Sequence, residues 1–169
     1  MYLAAISCKG KIGNYQLKFE ERTRETKSGN VVKAGVDSKF LLPFWKKIAA
    51  ASRKTLGLKE GDDILLQMDR ASCHFSKLTQ EELKKVGFTV IKQPPRSPDF
   101  SMLDAFLFPT LERECEKKGA VAREEIVAAV RSVWAKVTAE ECKKAHKRIL
   151  RNMERAIDLK GGNFYHEGR

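Results

Sequence analysis

One stretch of sequence decides the fold, and over residues 64–91 it reads ILLQMDRASCHFSKLTQEELKKVGFTVI. Its opening run, Ile64–Met68, is apolar and too compact for a helix, so it predicts a buried strand. Thr79-Gln80-Glu81-Glu82 has the pattern of a capping box and predicts a short helix that stops at Gly87. Phe88–Ile91 is a second apolar run. A strand, a helix and a strand in this order predict a βαβ unit with parallel strands.

The segment before this unit predicts strands and one helix. Tyr2–Ser7 and Tyr15–Phe19 are apolar or alternating runs joined by a turn-rich link, which predicts a β-hairpin. Glu20–Asn30 is polar and predicts an exposed loop. Ser38 can cap a helix that runs to about Ser52, with apolar residues at helical spacing.

The segment after the unit predicts a loop followed by helices. Pro94–Asp99 contains three prolines, which push the residues before them into extended conformations. From Ser101 onward we expect three helices, the second over Ala122–Lys136 and the third opened by a capping box at Thr138 and running to about Leu159. The chain is therefore an α/β protein with strands first, a βαβ centre and helices last.

Composition bounds the class of protein. The 169 residues include 33 Lys and Arg against 22 Asp and Glu, a net charge of +11. A hydrophobic content of 42% excludes global disorder, and no stretch reaches the length of a membrane span. The N-terminus lacks the pattern of a signal peptide. This length predicts a single domain over residues 1–169, and the basic excess favours an anionic partner, most often nucleic acid.

The charge is unevenly distributed along the chain. Residues 1–60 carry 13 basic and 5 acidic groups, residues 61–104 carry 6 and 7, and residues 105–169 carry 14 and 10. A neutral centre inside a basic frame is what a metal-dependent nucleic-acid enzyme needs, although chance produces the same pattern. The four cysteines, Cys8, Cys73, Cys115 and Cys142, are scattered, which argues against a zinc site and for a reducing compartment.

Two carboxylates stand out by their positions. Asp69 follows the strand Ile64–Met68, at the end where open α/β sheets place active groups. Asp104 lies in the first turn of the predicted helix after the prolines. Carboxylates from different elements can hold two cations about 3.5–4 Å apart for phosphoryl chemistry. Two simpler roles stay open: Asp69 can cap a turn, and Asp104 can complete a capping box with Ser101.

Two strings around these carboxylates resemble a known family. They are QMDRASCH at residues 67–74 and PPRSPDFSMLD at residues 94–104. Both are similar to the catalytic core of mariner-type transposases, which are DDE/DDD enzymes with a ribonuclease H-like fold. That family has an Asp-Asn-Ala-x-x-His string, then Pro-Pro-Tyr-Ser-Pro-Asp, then the last carboxylate. In its mariner branch this carboxylate is an Asp, and 34 residues separate the last two acids, as they separate Asp69 from Asp104 here.

The resemblance implies a function as well as a fold. Family members cut DNA at transposon ends and join it to a target with two Mg²⁺ or Mn²⁺ ions. On this basis Asp69 and Asp104 would be the catalytic and metal-binding residues of a nuclear protein whose partner is DNA. The resemblance places His74 close to the site as an orienting or DNA-contacting group. We also expect contacts to nucleic acid from residues around the two acids, namely Arg70, His74, Lys92 and Arg96.

The chain also departs from the family pattern. No residue matches the first catalytic Asp or its central strand, and helix-turn-helix domains are absent. The expectation is thus an incomplete, N-terminally truncated ribonuclease H-like α/β domain. Arg70 replaces the usual Asn and would compete with Mg²⁺ for the charge of Asp69. A homodimer, a partner chain that completes the sheet, direct re-pairing of the hairpin, and a relic within a larger assembly all remain open.

Three functional hypotheses follow. The chain is a metal-dependent transposase nuclease, a transposase-derived nucleic-acid-binding domain with impaired catalysis, or a basic structural subunit of a larger nucleoprotein complex. The absent first carboxylate, Arg70 and the charge of +11 favour the second.

Overall fold

The structure is a computed structural model that describes residues 2–17, 22–25, 31–34 and 38–161. These residues divide into two compact units. The first contains Met1–Leu3 and Tyr15–Lys92, and the second contains Ala4–Asn14 and Gln93–Arg169. The single-domain organisation stays a prediction. Phe19 of the expected hairpin lies outside the described residues.

The described residues form short strands and longer helices. The strands are β1 (Tyr2–Leu3), β2 (Ile6–Ser7), β3 (Gly10–Lys11), β4 (Gln16–Leu17), β5 (Arg22–Glu25), β6 (Val31–Ala34), β7 (Ile64–Met68) and β8 (Phe88–Lys92). The α-helices are α1 (Ser38–Leu56), α2 (Lys77–Lys85), α3 (Phe108–Lys118), α4 (Arg123–Lys136) and α5 (Ala139–Asp158). A 3₁₀ turn at Pro98–Phe100 and a π-helical turn at Leu103–Leu107 precede α3.

The βαβ unit forms the centre of the first unit, as predicted. β7 and β8 are parallel, with a register that runs from Ile64 opposite Phe88 to Met68 opposite Lys92. Ile64, Met68 and Phe88 are buried, and Leu83 of α2 is fully buried. Alternate positions of both strands therefore face a core, which is what the period of a strand requires.

The start of α2 differs from its prediction. The N-cap is Ser76, whose hydroxyl accepts a hydrogen bond from the backbone N–H of Thr79. Thr79 is the third helical residue and is fully buried. The predicted capping box at Thr79 was therefore wrong, because an earlier Ser in the same sequence satisfies the free N–H groups one turn sooner.

The N-terminal strands are more finely divided than predicted. β1 pairs with β4 in the first unit, and β2 pairs with β3 in the second, both antiparallel. The link predicted as a turn thus contains β3. The predicted loop Glu20–Asn30 was wrong over Arg22–Glu25, because the backbone of β5 pairs antiparallel with β6.

The helices of the second unit follow the predicted pattern closely. α4 buries one face through Ala129, Val130, Val133 and Trp134. α5 buries Cys142, Ala145, Ile149 and Asn152, which recur at helical spacing. Lys11 of β3 donates from Nζ to the carbonyl of Trp134 at 2.6 Å, which satisfies a free carbonyl at the end of α4. None of the helices in the described part of the chain is long and apolar enough to cross a membrane.

The capping box at Thr138 gives a stability prediction. Thr138 Oγ1 accepts from the Glu141 N–H at 3.2 Å, and Glu141 Oε2 accepts from the Thr138 N–H at 2.8 Å. We expect Thr138→Ala to lower the free energy of unfolding by about 1 kcal/mol at pH 7, whereas Thr138→Ser should retain most of the stability that the cap contributes. Urea unfolding of the purified chain measures the difference.

The same box predicts a pH dependence. The hydrogen bond from the backbone of Thr138 lowers the pKa of Glu141 below its ordinary range. A depressed pKa stabilises the fold above the unfolded value of about 4.3, and the contribution is lost as the pH falls through the folded value. Glu141→Gln should therefore destabilise the chain at pH 7 and have little effect near pH 2. An equal effect at both pH values would contradict this account.

Candidate functional site

Asp69 stands directly after β7, at the carboxyl end of the parallel strands. Its side chain is 61% exposed. Its Oδ1 atom accepts a hydrogen bond from the Ala71 N–H at 3.2 Å and lies 2.6 Å from Nδ1 of His74. The turn-capping role that the sequence left open for Asp69 is thus present. Both contacts use the same oxygen, so Oδ2 is the atom that can meet a further ligand.

His74 is held in one orientation by its surroundings. The edge of its imidazole meets the Trp45 ring of α1 at a centroid distance of 5.9 Å and an angle of 73°. Its backbone N–H donates to the carbonyl of Ala71, and its own carbonyl accepts from the Gln80 side chain of α2. The orienting role expected of His74 therefore has a structural basis, because its packed imidazole contacts one oxygen of Asp69 and holds it in place.

The loop between Asp69 and α2 is tied to two helices through one carbonyl. The Cys73 carbonyl accepts hydrogen bonds from three hydroxyl groups: Thr79 Oγ1 at 2.7 Å, Ser38 Oγ of α1 at 3.4 Å and Ser76 Oγ at 3.5 Å. Burial raises the pKa of the Cys73 thiol, which makes it a poor nucleophile at neutral pH. Cys73 therefore orders the loop through its backbone carbonyl rather than through its sulfur.

Cations flank Asp69. Arg70 is exposed and adjacent to it in sequence, and Lys92 is the exposed last residue of β8. Lys92 Nζ lies 5.0 Å from the centroid of the Phe75 ring, within range of a cation–π interaction. Of the residues expected to bind nucleic acid, His74 therefore contacts Asp69, Arg70 follows it in the chain, and Lys92 lies at the same end of the two strands.

Asp104 belongs to the second unit and lies in the π-helical turn. The Phe108 N–H donates to the Leu103 carbonyl, five residues back. Pro109 explains the wide turn, because it has no N–H and its ring would collide with the carbonyl of Ala105 in an α-helix. The backbone N–H of Asp104 donates to Ser101 Oγ at 3.3 Å, which is half of the capping box that the sequence allowed.

Two buried polar residues that sequence reasoning missed hold the segment before Asp104. Gln93 is 7% exposed, and its side-chain amide donates to the Ser97 carbonyl. Asn152 of α5 is 8% exposed and donates to the Asp99 carbonyl at 3.2 Å. The available signal was a polar residue on the apolar face of α5. Arg96 is exposed between these anchors, with a φ of 53° that few non-glycine residues adopt.

Asp69 and Asp104 belong to different units, so their predicted role as ligands of one metal centre stays a prediction. Nowhere in residues 2–17, 22–25, 31–34 and 38–161 do three or more His, Cys, Asp or Glu side chains lie close enough together to hold a metal. A site for Mg²⁺ takes oxygen ligands. One oxygen of the Asp69 carboxylate already contacts His74, and the residue that follows Asp69 in the chain is the cation Arg70. The described surroundings of Asp69 therefore do not by themselves supply the ligands of a pair of ions.

The architecture defines the fold class. A βαβ unit with Asp69 at its carboxyl end, α1 before it and a helical C-terminal part together match an α/β, ribonuclease H-like transposase catalytic domain. This confirms the predicted fold class.

The particular fold is that of a mariner transposase catalytic domain. The chain resembles a solved Mos1 transposase catalytic domain with raltegravir and Mn, at a TM-score of 0.71 and 16% identity, over 92% of this chain and 72% of that one. It also resembles a Mos1 transposase paired-end complex with the left transposon end, at a TM-score of 0.71 and 14% identity, over 96% of this chain and 44% of that one.

The chain thus spans less than half of the longer Mos1 chain. No protein-family model matches the sequence. No curated protein matches it either.

The anchored Cys73 carbonyl leads to a prediction about the loop. Thr79→Val keeps the shape of the buried side chain but removes the hydroxyl that donates to this carbonyl at 2.7 Å. We expect a loss of about 1–2 kcal/mol of stability and faster hydrogen exchange at the amides of Ala71 and His74. Thr79→Ser is the matched control and should preserve their protection. Unchanged exchange in Thr79→Val would show that the hydroxyl does not order the loop.

Proposed function

We propose that this chain is a transposase-derived domain that binds DNA and has impaired or absent catalysis. The observation that carries the proposal is the surface around Asp69. One oxygen of its carboxylate is already bound to His74, Arg70 is the next residue in the chain, and Lys92 lies opposite Met68 at the same end of the sheet. Such a surface attracts phosphates rather than concentrating the negative charge that a pair of divalent cations needs.

The fold supports the family side of this proposal. The Mos1 structures include one with transposon-end DNA and one with Mn. By analogy, DNA is the partner that we propose here, and nuclear localisation would follow from that partner. Mg²⁺ or Mn²⁺ would be the metal if the chain were active. No step of a reaction follows from the described residues, because they lack a set of ligands that fits these ions.

Binding should depend on cations at the carboxyl end of β8 and in the proline segment. We expect Lys92→Ala and Arg96→Ala each to weaken binding to a 30-base-pair duplex, and each to reduce the salt slope of log K by about 1. Lys59→Ala is the matched control, since Lys59 is an exposed lysine before the opposite end of β7. Fluorescence anisotropy from 50 to 300 mM NaCl measures both quantities. Binding that is independent of salt would refute the proposal.

Catalysis is tested separately with supercoiled and nicked plasmid assays in Mg²⁺ and in Mn²⁺. We expect no cleavage by the wild-type chain above that of Asp69→Ala, and DNA affinity that changes little in Asp69→Ala and Asp104→Ala. Metal-dependent cleavage that disappears in both Asp variants would restore the view of this chain as a nuclease and strand transferase.

A structural or assembly role is the second candidate. It is favoured by two large apolar side chains that stay in solvent on one face of β7 and β8, Leu65 at 67% and Ile91 at 47% exposed. A chain of this kind would bind a partner that covers these side chains. DNA binding absent at 50 mM NaCl, together with a stable complex with a protein partner, would favour this role.

A further inference from the structure

Helix α5 of the second unit carries a cluster of cations that lies outside the surface around Asp69. The acids of this helix lie toward its two ends and are Glu140, Glu141, Glu154 and Asp158. Between them, residues 142–153 include five Lys or Arg residues and no acid. The middle of α5 is therefore positively charged over about three turns.

Three of these cations form a row along the exposed side of the helix. Lys143, Lys147 and Arg151 are all exposed and recur every four residues, so they share one face. The opposite face is buried in the second unit through Cys142, Ala145, Ile149 and Asn152. Each step of four residues rises about 6 Å along the helix axis, so the row is about 12 Å long. We call these three residues the α5 row.

The charges of the α5 row are not compensated within the described part of the chain. Other helices pair a cation with an acid four residues away. In α2, Lys77 lies 3.9 Å from Glu81, and in α3, Lys118 lies 3.0 Å from Glu114. None of the three cations of the row forms an ion pair with a described residue. Like charges four residues apart destabilise a helix, so the row opposes folding and favours only an anion that meets it.

We propose that the α5 row binds the phosphodiester backbone of duplex DNA, as a second contact surface besides the one around Asp69. This inference rests on the DNA binding proposed above. Phosphates of one strand recur about every 3.4 Å of the duplex axis, so a row of about 12 Å can run beside three or four of them. Lys and Arg side chains reach phosphate oxygens without reading base edges, so this surface contributes affinity rather than sequence preference.

Two other anionic partners fit the α5 row less well. A basic amphipathic helix that binds a membrane surface inserts its apolar face, whereas the apolar face of α5 is already buried in the second unit. An acidic segment of a protein presents carboxylates at irregular spacing. Duplex DNA instead presents a regular array of phosphates, which matches the fixed spacing of cations along a helix.

The test compares two double variants of the full chain, each of which removes two charges from the second unit. Lys147→Gln with Arg151→Gln removes two members of the α5 row, and Lys117→Gln with Lys118→Gln is the matched control on α3. We expect the first to weaken binding to a 30-base-pair duplex about tenfold or more at 100 mM NaCl, and to reduce the salt slope of log K by about 2. The control should change the affinity by about twofold at most, because salt screens distant charges. Fluorescence anisotropy measures both quantities.

Two further measurements separate binding from a structural role of the row. Lys147→Arg with Arg151→Lys keeps both charges and should bind the duplex like wild type. Urea unfolding should show that Lys147→Gln with Arg151→Gln is at least as stable as wild type, since it relieves repulsion between like charges. A loss of stability would give the row a structural role and contradict the proposal.

The outcomes distinguish this proposal from the proposed function. A wild-type chain that does not bind the duplex at 50 mM NaCl overturns both. Binding that is weakened by Lys92→Ala but unchanged by Lys147→Gln with Arg151→Gln overturns this proposal alone. Polyglutamate that binds the chain more tightly than the duplex does, and loses that affinity in the same double variant, also overturns it, because the partner would then be an acidic protein segment.

Discussion

The parallel pairing of β7 with β8 is the constraint on which the candidate site depends. Because both strands run the same way, their carboxyl ends meet at one edge and bring Asp69 and Lys92 to the same end of the sheet. The pairing also requires a crossover, and α2 supplies it with Leu83 fully buried. Every contact described for Asp69 is with a residue of the loop that leaves this edge.

A single backbone carbonyl then holds that loop in one conformation. The Cys73 carbonyl accepts hydrogen bonds from a hydroxyl group of α1 and one of α2, and the imidazole of His74 packs against Trp45. These contacts fix one oxygen of Asp69 before any ligand arrives. The proposed DNA binding rests on this local structure: a carboxylate held by a histidine, with Arg70 next in the chain and Lys92 at the same end of the sheet.

Prediction from sequence succeeded where local patterns repeat and failed where distant residues compete. β7 was predicted at its observed bounds, and α4 and α5 to within a residue, because apolar periodicity and capping residues are local signals. The start of α2 was wrong because Ser76 and Thr79 are both good caps, and burial decided between them. Arg22–Glu25 looked like a loop because the pairing of β5 with β6 is a contact between backbones, which polar side chains do not reveal.

The sequence by itself determined the α/β class, the βαβ unit, the position of Asp69 after its strand and that of Asp104 after the proline segment, since strand length, helical period and proline act over a few residues. Only the tertiary structure decided what surrounds those acids: His74 on Asp69, Trp45 on His74, the π-helical turn at Asp104, and the exposed Leu65 on β7. The physical reason is that orientation and burial depend on which distant groups meet, and no local pattern in the chain records that.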